Sequence, residues 1–73
     1  MAKEIVAPLS GKVFQIKISA GDKVESDEEA MIIEAMKMET PIYVPCDGTV
    51  RRIDVNDGDA VEEGDVLAVI DET

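Results

Sequence analysis

Apolar residues in this chain come in short β-branched stretches, broken by glycine and acidic residues. Val13 to Ile18 and Val50 to Val55 each intersperse Val and Ile with polar residues. Both runs are too short for an amphipathic helix and suit half-buried strands. Gly21-Asp22 and Gly58-Asp59 come next, where the chain must turn. Glycine supplies a positive φ there, and aspartate can bond the backbone of its own turn. A phosphate-cradling loop would need a helix directly after the glycines, and none is indicated. One segment reads differently. Ser26-Asp27-Glu28-Glu29 looks like an N-cap with an acidic first turn, and Ala30 to Glu39 is rich in helix formers, so in isolation it predicts a helix.

An internal repeat decides between the two. Sliding the sequence against itself by 37 positions aligns residues 7–34 with residues 44–71 without a gap. Nine of 28 positions are then identical: Pro8/Pro45, Gly11/Gly48, Val13/Val50, Ile16/Ile53, Gly21/Gly58, Asp22/Asp59, Val24/Val61, Glu25/Glu62 and Ile33/Ile70. Composition alone would give about two. The counterpart of the helix-like segment is Glu63 to Asp71, β-branched with a glycine near its start. Two copies of one unit share a conformation, so Ala30 to Ala35 is predicted as a strand against its own propensity. The expected fold is all-β, a flattened sandwich or barrel. Two small antiparallel sheets are related by a pseudo-twofold axis and bury alternate Val, Ile and Leu. Segment 35–43 joins the halves as a hairpin, which places Lys37 at one pole and the two termini at the other.

Composition narrows the chemistry. Seventy-three residues make one small domain, residues 1–73. Seven basic against seventeen acidic residues give a net charge of −10, which argues against nucleic acid or an anionic membrane surface as partner. No apolar run approaches the about 20 residues of a membrane-spanning helix. With no His, no Trp and a single Cys, neither a nucleophile–His constellation nor a zinc cluster can be assembled, so an autonomous enzyme is not expected. The carboxylates read as solvated surface. Asp54 to Asp59 misses the calcium-loop frame, its glycine falling one position early. Cys46 cannot form an internal disulfide, and Met1 to Val6 lacks the pattern of a secretory leader, so a cytoplasmic setting is expected. Arg51-Arg52, the adjacent basic pair, reads as a solvated strand edge.

The connecting hairpin carries the one unusual feature. A two-residue turn inside Glu34-Ala35-Met36-Lys37-Met38-Glu39 is centred on Met36 and Lys37. Such turns favour Asn-Gly or Asp-Gly, because both central residues need φ > 0. Two long side chains there point to selection for something other than turn stability, with strain held at a working tip. A lysine on that tip offers a primary amine held out from a rigid scaffold, although most hairpin lysines are only solvated.

Glu34-Ala35-Met36-Lys37-Met38-Glu39 resembles the attachment motif of biotinyl domains, the carrier modules of biotin-dependent carboxylases and decarboxylases. Ala7-Pro8-Leu9-Ser10-Gly11, Gly21-Asp22-Lys23-Val24, Gly48-Thr49-Val50 and Gly58-Asp59-Ala60-Val61 extend the resemblance over nearly the whole chain. It implies a flattened barrel of two four-stranded antiparallel sheets with internal pseudo-twofold symmetry. It also implies that biotin is attached to Lys37 by a biotin protein ligase, with Met36, Met38, Ala35 and Glu34 setting the shape the ligase reads. The domain would catalyse nothing itself and would carry an activated carboxyl group from a biotin carboxylase to a carboxyltransferase, or serve a decarboxylase subunit. Because Gly11 to Gly21 matches Gly48 to Gly58 without an insertion, the chain resembles the thumbless group of such domains. Asp27 stands where the second copy has Gly64, and Ala30 stands opposite Leu67, which predicts looser packing of the first half. Two other readings of the same residues are a lipoyl carrier, whose hairpins more often have Asp before the lysine and Ala after it, and an unmodified barrel acting as an adaptor.

Overall fold

The computed structural model describes all 73 residues, and every regular element in it is a strand. In chain order these are β1 (Ala2–Val6), β2 (Gly11–Ile16), β3 (Lys23–Val24), β4 (Glu29–Ala35), β5 (Met38–Tyr43), β6 (Gly48–Ile53), β7 (Ala60–Val61) and β8 (Val66–Glu72). They form two four-stranded antiparallel sheets, ordered β1-β8-β6-β3 and β5-β4-β2-β7. The molecule is an elongated body of 35 × 17 × 17 Å.

The 37-residue relation runs through the backbone more completely than through the side chains. Gly21 N donates to Val50 O at 2.8 Å, and Gly58 N to Val13 O at 2.7 Å. Asp27 N donates to Val44 O and Gly64 N to Ala7 O, both at 2.8 Å. The symmetry also reaches beyond the aligned identities, because β5 stands to β4 as β1 stands to β8: Ala35 faces Met38, and Glu72 N donates to Met1 O at 2.8 Å. The chain ends therefore occupy the counterpart of the hairpin, at the opposite pole, as the repeat predicted.

The two halves do not fold as one sheet each. β7 of the second half completes the sheet of β2 and β4, pairing Gly11 with Val61, while β3 of the first half completes the sheet of β6 and β8. Only this exchange lets two-residue strands count, since each is held by a longer strand of the other half.

β4 is a strand in spite of its helix-forming sequence, because β2 and β5 hold it on both sides. A central strand satisfies its donors and acceptors in both directions, and that tertiary gain overrides a propensity difference of about 0.5 kcal/mol or less per residue. Sixteen apolar residues are buried and no buried polar group is left among them. Ala30 does not loosen the first half. It is fully buried, and the neighbouring pair reverses the sizes: Ala30 and Met31 in β4 answer to Leu67 and Ala68 in β8, so each half contributes one large and one small side chain. The Asp27 backbone lies at φ 70°, matching Gly64 at φ 91°, as the repeat requires.

Two charge assignments change. Arg51 and Arg52 lie in β6 beyond Gly48 and Thr49, the two residues that β3 covers, so their strand edge is open, but their exposed side chains pair with Asp71 and Asp54 respectively. Six of the seventeen carboxylates are more than solvated surface, since each accepts a backbone N–H, five from loop residues and one from the end of β2. Asp22 takes Ser19 N and Asp59 takes Asn56 N, both at 2.9 Å, fixing the equivalent turns of the two halves. Asp57, inside the stretch compared with a calcium loop, accepts Ile16 N at 3.1 Å.

Candidate functional site: the Lys37 hairpin

β4 and β5 run in register up to the tip, with Ile33 opposite Thr40, Glu34 opposite Glu39 and Ala35 opposite Met38. The last rung leaves two residues to turn the chain. Met36 has φ 52° and Lys37 φ 65°, the left-handed pair that a tight hairpin of this twist demands. Neither is glycine, asparagine or aspartate, so the strain expected from the sequence is present in the backbone.

Every side chain singled out from the sequence falls within this turn and its last two rungs. Met36 is 95% exposed and Met38 69% exposed, thioethers standing in solvent on either side of the lysine. Lys37 is exposed and takes part in none of the four ion pairs of the molecule. Glu34 is exposed, with Glu39 across one neighbouring strand and Lys12 across the other, so two carboxylates and a second amine flank the base of the tip. Ala35 is half-buried and closes the hairpin against β2.

Sequence reasoning did not single out Gly11 as part of the site. A Cβ placed on it would lie 2.6 Å from Glu34 O, 2.8 Å from Ile33 Cγ2 and 3.2 Å from Ala35 Cβ. Its side chain is absent because the end of β4 occupies the space. The sequence signals for it were its recurrence as Gly48 and its place at the end of Ala7-Pro8-Leu9-Ser10-Gly11.

No pocket accompanies the lysine. The larger surface cleft, about 590 Å³, lies across the pseudo-twofold axis between Ile16, Ile18 and Ser19 and their counterparts Ile53, Val55 and Asn56. The second, about 550 Å³, lies between Val24, Asp47 and Thr73, towards the pole of the chain ends. An amine on an open tip cannot enclose a ligand, but it can hold one by a covalent bond and leave it mobile. The residues present thus fit a group joined through Nζ and do not fit one bound by contacts alone.

A pseudo-twofold barrel of two four-stranded sheets presenting an uncommitted lysine on a strained hairpin is a carrier module. The family model described as "Biotin-requiring enzyme" matches residues 1–70, and the chain belongs to that biotin/lipoyl attachment family. It is 41% identical over 59 residues to the biotin/lipoyl attachment protein of Bacillus subtilis, covering 81% of each. It is also 41% identical over 46 residues to the methylmalonyl-CoA decarboxylase gamma subunit of Veillonella parvula, covering 63% of this chain and 36% of that one. The solved structure of Kluyveromyces lactis urea carboxylase superposes with a TM-score of 0.89 at 36% identity, over 96% of this chain and 6% of that one. The chain therefore spans about a third of the decarboxylase subunit and a small fraction of the carboxylase.

Proposed function

We propose that this chain is a biotin carboxyl carrier, with biotin joined to Lys37 through an amide between Nζ and the cofactor's carboxyl carbon. The observation that carries the proposal is the exposed Lys37, free of ion pairs, at φ 65° between two exposed methionines. Bound there, biotin supplies a ureido nitrogen that accepts and releases a carboxyl group. The chain's own residues supply placement. The left-handed turn projects the amine beyond the last rung of β4 and β5, and the paired strands fix its base. Amide formation removes the positive charge of Lys37, leaving the tip with Glu34 and Glu39 as its nearest charges along the hairpin. Tethering holds the group near its partners at an effective concentration of about millimolar, without free diffusion.

Three kinds of partner follow from this reading: a biotin protein ligase that modifies Lys37, a biotin carboxylase, and a carboxyltransferase or decarboxylase subunit. Family membership and the similarity to decarboxylase and carboxylase proteins support the carboxyl-transfer reading over a lipoyl carrier. So do the residues beside the lysine, Met36 and Met38, where lipoyl hairpins more often have Asp and Ala. The domain contributes no catalytic group, and chemistry belongs to the partners.

Co-expression with a biotin protein ligase, followed by intact-mass measurement, tests the proposal. One biotinyl addition, lost in Lys37→Ala, is the expected result. A folded chain left unmodified by active ligase would defeat the biotin reading, and modification by a lipoate ligase instead would establish the alternative carrier.

A further inference from the structure

We propose that Gly11 is a positioning residue for the modification of Lys37: its missing side chain sets where the hairpin tip points. The inference rests on the carrier reading above. Gly11 lies next to the Glu34–Ala35 peptide, which immediately precedes Met36. A Cβ at Gly11 would stand 2.6 Å from Glu34 O, a backbone atom that cannot swing aside as a side-chain end can. Relief requires the end of β4 to move away from β2. Lys12 is paired with Glu34 one rung below, and β7 holds Gly11 from its other side, so displacement is concentrated at the free end of the hairpin. That end is Met36 and Lys37.

The pseudo-twofold symmetry provides an internal control. Gly48 is the equivalent residue in the other sheet, and a Cβ there would collide with the Asp71 carbonyl group, a contact at least as severe. Its clash acts on the end of β8, which carries no lysine and lies at the pole of the chain ends. Gly11→Ala and Gly48→Ala should therefore both lose stability, Gly48→Ala at least as much, while only Gly11→Ala loses function.

The full chain and both variants are compared as substrates of biotin protein ligase, in sucrose to favour the compact state, with rates expressed per folded molecule. Displacement of a reacting atom by up to 1 Å costs as much as about a hundredfold in rate, so Gly11→Ala is expected to lower kcat/KM by about tenfold or more, mainly in kcat. Gly48→Ala is expected to react as the unsubstituted chain does, even where its melting temperature falls further. Non-enzymatic acylation of Lys37 by an N-hydroxysuccinimide ester, read by peptide mass, requires only exposure and should proceed equally in all three. Equal ligase rates for the two variants would overturn the proposal, as would slower chemical acylation in Gly11→Ala, which would mean a hidden amine. A Gly11→Ala chain that fails to fold where Gly48→Ala folds would confine the glycine to a folding role and also overturn it. Failure of the unsubstituted chain to be modified would instead defeat the carrier reading.

Discussion

Replacing Met36 by asparagine should make the protein more stable. At φ 52° an ordinary L-residue sits in the left-handed region, which costs about 1–2 kcal/mol relative to right-handed backbone. Asparagine is several-fold enriched in that region, equivalent to recovering about 0.5–1 kcal/mol of the cost. Met36 is 95% exposed, so its removal forfeits almost no burial, and Lys37 stays in place. In a domain of this size, about 1 kcal/mol moves the melting temperature by about 4–8 °C, so Met36→Asn should raise it by about 2–8 °C in a reversible melt followed by circular dichroism. Met38→Asn is the matched comparison. Met38 is also exposed but lies in β5, where asparagine is a poor strand residue, so its melting temperature should fall. An unchanged or lower melting temperature for Met36→Asn would refute the claim of strain. A rise of equal size at both positions would attribute the gain to surface polarity instead.

Asp27→Gly should change stability by less than about 1 kcal/mol, because relief at φ 70° is offset by the greater freedom of glycine in the unfolded chain; chemical denaturation measures this. Leu67→Ala should lose about 2–5 kcal/mol, a large part of the about 4–11 kcal/mol expected for a chain of this length, and urea melts will show it. Burial, followed by the Glu72 carboxylate, pushes the Cys46 thiol above its ordinary value of 9.0. The folded chain therefore keeps this proton longer than the unfolded one. Alkylation of Cys46 should be slower in the native protein than in urea at pH 9.0, and should still be climbing with pH where the unfolded thiol has levelled off.

Local pattern was enough to find β2 and β6 through their Val and Ile residues and following Gly-Asp turns, although both strands lie two residues earlier than predicted, at Gly11–Ile16 and Gly48–Ile53 instead of 13–18 and 50–55. β4 was legible only through its counterpart, because Ala30, Met31 and Ala35 favour a helix until Val66 to Ile70, with its β-branched Val66, Val69 and Ile70, is set beside them. The hairpin tip could be located because a two-residue turn permits few conformations, and methionine and lysine violate its preferences. The exchange of β3 and β7 left no such trace. A repeat shows that two units are alike, but Lys23-Val24 would carry the same two letters whichever half it paired with. The close approach at Gly11 was hidden for a similar reason: a glycine that admits a neighbouring carbonyl looks the same as one that turns the chain. Loop carboxylates were misjudged because residue type does not distinguish an acceptor facing an amide from one facing water, as Asp22 and Asp59 illustrate.

The exchange of β3 and β7 has a consequence for synthesis on the ribosome. Gly11 and Lys12 of β2 wait for Val61 and Ala60, and β1 has no partner until β8 is made, so neither sheet can close from an N-terminal fragment. Helical domains can fold turn by turn as they emerge, whereas a topology built on distant pairings accumulates structure late and all at once. Residues 34–39 leave the ribosome well before the strands that brace them. During that interval the lysine belongs to a flexible, helix-prone peptide, and an enzyme that selects the left-handed tip would not select it. On the carrier reading, modification of Lys37 should therefore follow closure of both sheets.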